Sequence, residues 1–220
     1  MRLTERYRPR TLANVVGQPC IKRYLMPLVR SPEPSCWLLV GNGGTGKTAA
    51  AYALASDLGI DSLWDCHHVC ASELDIDRCR AMWGGMLRYV PRNGWIVLVL
   101  EELDALPSEQ VHRFLKDNLQ SQRMAEQTPH LIVVATSNDI SGLSAAFLQR
   151  WQVCQFEHGA KFAAAMRQRL QSVWAEVAPD TELPPEWRNW GKDGEGWSMR
   201  VALDELENHL SAVTAQECAA

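Results

Sequence analysis

A parallel β-sheet covered by helices on both faces, followed by a small helical domain, is the architecture the sequence predicts. Three observations carry that expectation. Short apolar runs alternate with helix-length segments up to Phe156, a glycine-rich turn joins the first run to the first clear helix, and no strand pattern persists beyond Phe156. The 220 residues suffice for one well-buried core and a small satellite. Hydrophobic residues make up 46% and charged residues 22%, with 14 Gly and 11 Pro, which excludes disordered, collagen-like and low-complexity chains.

Taken in order, Pro27, Pro32 and Pro34 punctuate the approach to Cys36–Val40, a run that ends in glycines as a buried parallel strand does. The Ala-rich segment Lys47–Leu58 reads as a helix stopped by Gly59. Further strands are expected at His68–Cys70, Trp95–Leu100, Leu131–Ala135 and Val153–Phe156, and helices over 75–90 and 108–123. Such alternation requires right-handed crossovers, hence a parallel sheet. Helical periodicity over 160–177 and 198–213 brackets a stretch holding Pro179, Pro184, Pro185, Gly191, Gly194 and Gly196, with no strand expected in it. Residues 1–158 are therefore read as the α/β domain and 159–220 as a helical lid.

The net charge of −4 hides an asymmetry. Residues 1–34 hold seven Arg or Lys against two Glu, a balance of +5 that leaves −9 on the other 186 residues, so any nucleic-acid contact has to be local. The aliphatic runs at 95–100 and 131–135 fall far short of the roughly 20 residues of a membrane span. Arg2, Arg6, Arg8 and Arg10 have no apolar stretch behind them, unlike a secretory signal. Seven Cys, an odd number, are read as reduced thiols. A cytoplasmic, nuclear or nucleoid-associated location is expected.

Gly41-Asn42-Gly43-Gly44-Thr45-Gly46-Lys47-Thr48 fits the phosphate-binding pattern G-x-x-x-x-G-K-[ST] between a strand and a helix. The glycines let backbone N–H groups turn inward around a β-phosphate, and the helix N-terminus adds positive potential. Lys47 is expected to reach the β- and γ-phosphates of ATP, and the Thr48 hydroxyl to ligate Mg²⁺. A plain glycine-rich turn before a helix is the competing reading; it calls for neither the lysine nor the threonine.

The run Trp95–Leu100 leads straight into Glu101-Glu102. Strand alternation sends two adjacent carboxylates to opposite sides, so Glu101 is assigned to Mg²⁺ through its waters and Glu102 to polarising the attacking water as general base. Alone, Glu-Glu-Leu-Asp is an ordinary solvated acidic turn. Leu131–Asn138 likewise delivers polar residues to a strand's C-terminal edge, where ligands bind in open parallel sheets, and Asn138 is placed to hold the lytic water from the other side.

Together these residues resemble AAA+ ATPases, and within them the clamp-loader group, the replication factor C small subunits. Glu5–Leu12 followed by Val16-Gly17-Gln18 is similar to that family's N-terminal box, Cys70–Glu73 with Ile76-Asp77 to the segment after its second strand, Leu148–Trp151 to its Ser-Arg-Cys motif, and Gly196–Leu203 to the lid's Gly-x-x-Arg motif. The resemblance implies a five-stranded sheet in the order 5-1-4-3-2. It also implies Tyr7, Arg8, Pro9, Val16 and Gly17 against the adenine, Arg150 as an arginine finger reaching a neighbour's γ-phosphate, and Arg200 as a lid arginine on its own subunit's γ-phosphate. A guanidinium suits both tasks because its charge is permanent and its donors match phosphate oxygens. Glu101 stands where the family begins its acidic motif with Asp, and Gln149 and Trp151 stand where it has Ser and Cys. Clamp loaders add a helical collar domain that these 220 residues do not contain, so a ring of this chain would be held by other contacts or by partner chains.

The resemblance implies ring partners, identical or different, and DNA or a DNA-bound sliding clamp as the object gripped; no membrane partner is expected. Arg78, Arg80, Arg88, Arg113 and Lys116 lie on the helices that face DNA in clamp loaders, though solvated helix faces are the ordinary reading. Cys66, His67, His68, Cys70 and Cys79 match no common zinc spacing and are read as buried thiols and satisfied histidines. Trp174, Trp187, Trp190 and Trp197 are read as lid core, with a docking patch as the alternative. Two further functional readings stay open: a motor acting on a protein or helicase cargo, and a non-hydrolysing assembly module in which ATP is a structural ligand.

Overall fold

The computed structural model describes residues 1–60, 65–179, 181–194 and 196–217; residues 180, 195 and 218–220 of the expected lid lie outside them. In chain order the elements are α1 (Leu3–Arg6), α2 (Met26–Arg30), β1 (Ser35–Val40), α3 (Lys47–Asp57), β2 (Cys66–Cys70), α4 (Ile76–Arg88), β3 (Ile96–Glu101), α5 (Glu109–Asn118), α6 (Ser121–Gln127), β4 (Leu131–Ser137), α7 (Ala145–Leu148), β5 (Gln152–Gln155), α8 (Ala160–Val177), β6 (Lys192–Asp193), β7 (Gly196–Trp197) and α9 (Met199–Glu217). The main sheet runs β2-β3-β4-β1-β5, which is the order 5-1-4-3-2 read from the other edge, and every neighbouring pair is parallel.

The strands β1, β3 and β4 read as unbroken apolar runs because both of their faces are buried. Leu38, Leu98, Leu100 and Val133 pack with Trp83, Met86, Val111 and Leu115 of α4 and α5. Their alternates Leu39, Val97, Val99 and Val134 pack with Ala50, Ala53 and Leu54 of α3. Burying one such aliphatic side chain stabilises the fold by about 2 kcal/mol, so the sheet is the rigid platform. Its C-terminal edge carries the polar turns after β1, β3 and β4.

A third core joins α8 and α9 through Phe162, Met166, Leu170, Trp174, Trp190 and Leu206. The rings of Trp174 and Trp190 lie 6.4 Å apart with His209 against both, so these two tryptophans are lid core. Leu3 of α1 is buried in this same cluster. Arg6 bonds Glu176 at 2.8 Å on the lid side, while the Leu12 N–H donates to Asp57 Oδ2 at 2.9 Å on the sheet side. The N-terminal segment is therefore a strap fastened to both parts.

The structure departs from expectation in two elements. The helix expected over 108–123 ends at Asn118, whose Nδ2 donates to the Phe114 carbonyl at 2.8 Å, and α6 starts anew at Ser121. The lid also contains a short antiparallel ladder, β6 on β7, in a stretch where no strand was expected; Gly194 at φ +56 lies between the two strands.

Candidate nucleotide-binding site

Between the sheet edge, the strap and the lid lies a cleft of about 700 Å³. The loop after β1 forms its floor. Gly44 and Gly46 take φ +70 and +98, and a Cβ built on Gly44 would fall 1.9 Å from Ser198 Oγ, so only glycine passes there. Gly46 caps α3 in the left-handed region, leaving the helix N-terminus aimed into the cleft. A Cβ at Gly43 would meet nothing within 4 Å, so the loop is open on the side where phosphates would lie.

Lys47 is buried, and its Nζ donates to the carbonyls of Gly41 (2.5 Å) and Asn42 (2.8 Å) and to Asn138 Oδ1 (2.9 Å). Burial lowers its pKa to about 8; the Asp104 carboxylate opposes the shift and the Arg200 guanidinium adds to it. Asp104, a residue the sequence did not single out, also accepts from Ser137 Oγ at 2.9 Å and from the Asn138 N–H at 3.4 Å, which fixes the turn that presents Asn138.

Glu101 and Glu102 both line the cleft, a correction to the expectation of opposite sides. Strand alternation fails because Glu102 leaves β3 in the left-handed conformation (φ 56, ψ 53), alone among the described non-glycine residues in having positive φ. Its N–H donates to Thr136 Oγ1 at 3.3 Å on the next strand. Such backbone strain persists where the surroundings over-determine it.

Tyr7, Arg8, Pro9 and Val16 of the strap, Gly43 to Thr48, Asn138 and Arg200 all line the cleft. Three expected contacts do not. Gly41 and Asn42 lie outside the lining and turn their carbonyls to Lys47 instead. Gly17 packs under the lid, where an added Cβ would sit 3.0 Å from the Phe162 ring. Arg150 is also outside the lining; its Nε donates to the Lys116 carbonyl at 3.2 Å, and Trp151 beside it is buried against Phe147. Gln18, part of the segment that resembles the N-terminal box but given no role from the sequence, holds the strap in place. Its amide donates to the carbonyls of Thr45 (3.2 Å) and Glu157 (3.0 Å) and accepts from the Glu157 N–H (2.7 Å). The lid touches the loop directly, the Met199 N–H donating to the Gly44 carbonyl at 2.9 Å.

Thr48 and Glu101 face the same cleft and offer hard oxygen donors, a set that suits Mg²⁺ shared with phosphate oxygens. The residues fit that cation. Among the described residues no three His, Cys, Asp or Glu side chains are grouped to hold a metal by themselves, those around Cys66–Cys79 included. Of the basic residues on α4, Arg78 pairs with Glu73 at 3.2 Å and Arg80 with Asp77 at 3.4 Å.

Residues 37–158 match the ATPase family associated with various cellular activities (AAA). The chain is similar to the replication factor C small subunit of Thermoplasma acidophilum, 36% identical over 111 residues that cover 48% of this chain and 35% of that one. It is also similar to the replication factor C large subunit of Methanopyrus kandleri, 44% identical over 75 residues, 31% of this chain and 14% of that one. The matches thus span about a third or less of those relatives' length. In fold it is similar to the Thermotoga maritima RuvB Holliday junction branch migration motor, with TM-score 0.69 and 19% identity over 94% of this chain and 67% of that one. Among the described residues no helix is long and apolar enough to cross a membrane. With a family match over more than half its length, the chain belongs to the AAA ATPase family.

Proposed function

We propose that this chain binds and hydrolyses ATP in the cleft, and that it works beside other AAA+ subunits in a clamp-loader type ring, cytoplasmic or nucleoid-associated, whose grip on DNA or a DNA-bound clamp follows nucleotide state. The observation that carries the proposal is the convergence of Lys47, Thr48, Glu101, Glu102, Asn138 and the lid's Arg200 on one cleft. Lys47 would exchange its carbonyl and amide partners for β- and γ-phosphate oxygens, and Asn138, freed of the ammonium, would orient the water. Glu102 would accept that water's proton. Mg²⁺, when bound at Thr48 and Glu101, would offset phosphate charge as it builds up. Arg200, one residue beyond the Met199 contact with Gly44, would report the γ-phosphate to the lid. Arg150, outside its own cleft, would be lent to a neighbouring subunit's site.

The similarity to replication factor C subunits favours DNA or its clamp over a protein cargo. Arg78, Arg80 and Arg88 of α4 and Arg113 and Lys116 of α5 would supply the phosphate contacts. Adding primed DNA to an ATPase assay tests this: stimulation that falls with salt supports the proposal, and indifference to DNA with stimulation by a protein cargo supports a remodelling motor instead.

A further inference from the structure

Glu101 is one methylene longer than an aspartate at the same strand end, which gives its carboxylate one more rotatable bond to fix before it can serve a cation with strict geometry. The neighbouring strand supplies a means. His68 on β2 places Nε2 3.3 Å from Glu101 Oε2, and both side chains line the cleft. The imidazole is itself held, its ring centroid 5.7 Å from that of Tyr52 on α3, and the Arg8 guanidinium of the strap lies 5.0 Å over the other end of the row, at Tyr52. Burial and then the Glu101 carboxylate push the Tyr52 phenol up from its ordinary value, consistent with that carboxylate lying close by. Strap, α3, β2 and β3 are thereby joined in one row of contacts ending on a proposed metal ligand.

We propose that His68 is a positioning residue for Glu101, holding one carboxylate oxygen so that the other faces the divalent cation, with Tyr52 fixing the imidazole. This rests on the functional reading above. Outer partners of metal ligands typically set affinity by tenfold or more, and His68 is half-exposed, so the low end of that range applies.

Mn²⁺ binding in the presence of a non-hydrolysable ATP analogue, followed by electron paramagnetic resonance, tests it without turnover. His68→Ala is expected to weaken Mn²⁺ about tenfold, and His68→Gln, which keeps an N–H donor, to recover most of that loss. In a Glu101→Asp background, whose shorter side chain falls back from His68, the same His68→Ala change is expected to cost less than about twofold, a non-additivity that a merely structural residue would not show. Equal weakening in both backgrounds, or none in either, overturns the inference while leaving the functional reading in place. A wild-type chain that binds no Mn²⁺ with the analogue overturns both.

Discussion

Replacing Lys47 by Met asks what holding an ammonium in the loop costs the fold. Burial sets the Lys47 pKa at about 8, against an ordinary lysine value of 10.5. A group whose native pKa is depressed in this direction binds fewer protons folded than unfolded, so stability rises with pH between roughly 8 and 10.5, and the full cost is present below about pH 8. The difference of two and a half pH units corresponds to on the order of 3 kcal/mol, of which about 2 kcal/mol is recovered between pH 7 and 9.5. Urea unfolding of wild type and Lys47→Met at both pH values isolates this group, because the other titrating residues are common to the two proteins. Stability of wild type relative to Lys47→Met is expected to climb by about 2 kcal/mol from pH 7 to 9.5. A flat or falling difference refutes the placement of a buried, weakly compensated ammonium.

Three other outcomes are expected. Because phosphates would restore the lysine's charge, binding of an ATP analogue at pH 8.5 should take up about 0.8 of a proton in excess of that at Lys47→Arg, read by calorimetry in buffers of differing ionisation heat. At position 102 the ordinary preference for Ala over Gly should reverse, Glu102→Gly exceeding Glu102→Ala by about 1 kcal/mol in urea unfolding, because of the left-handed backbone there; Ala the more stable would contradict that conformation. Gln18→Ala strips partners from Thr45 and Glu157 and should destabilise by about 3 kcal/mol; a loss under about 0.5 kcal/mol would show the strap is not held by this amide.

What could be seen in the sequence was local. The strands β1, β3 and β4 announce themselves as apolar runs because both faces are buried, and the Gly41–Thr48 spacing marks the loop that follows β1. The sheet order came with the family resemblance. What stayed hidden depends on partners far along the chain or on a single residue's backbone. Gln18 belongs to the segment that resembles the N-terminal box, but its partner Glu157 lies 139 positions away and no local pattern pairs the two. Asp104 looked like part of an acidic turn until β4 placed Ser137 beside it. Period-2 alternation predicted opposite faces for the two glutamates, and one residue at φ 56 undid it. The break between α5 and α6 has no proline or glycine to mark it; the last helical bond of α5 is from the Leu119 N–H to the Leu115 carbonyl.

Single-turnover cleavage of ATP by wild type and by Glu102→Gln tests the central claim most directly, with analogue affinity measured alongside. Wild type should cleave, and Glu102→Gln should bind within about twofold while cleaving at least ~100-fold more slowly. Equal cleavage rates, or no cleavage by either protein in the presence of assembled partners, would contradict a hydrolytic role for this cleft.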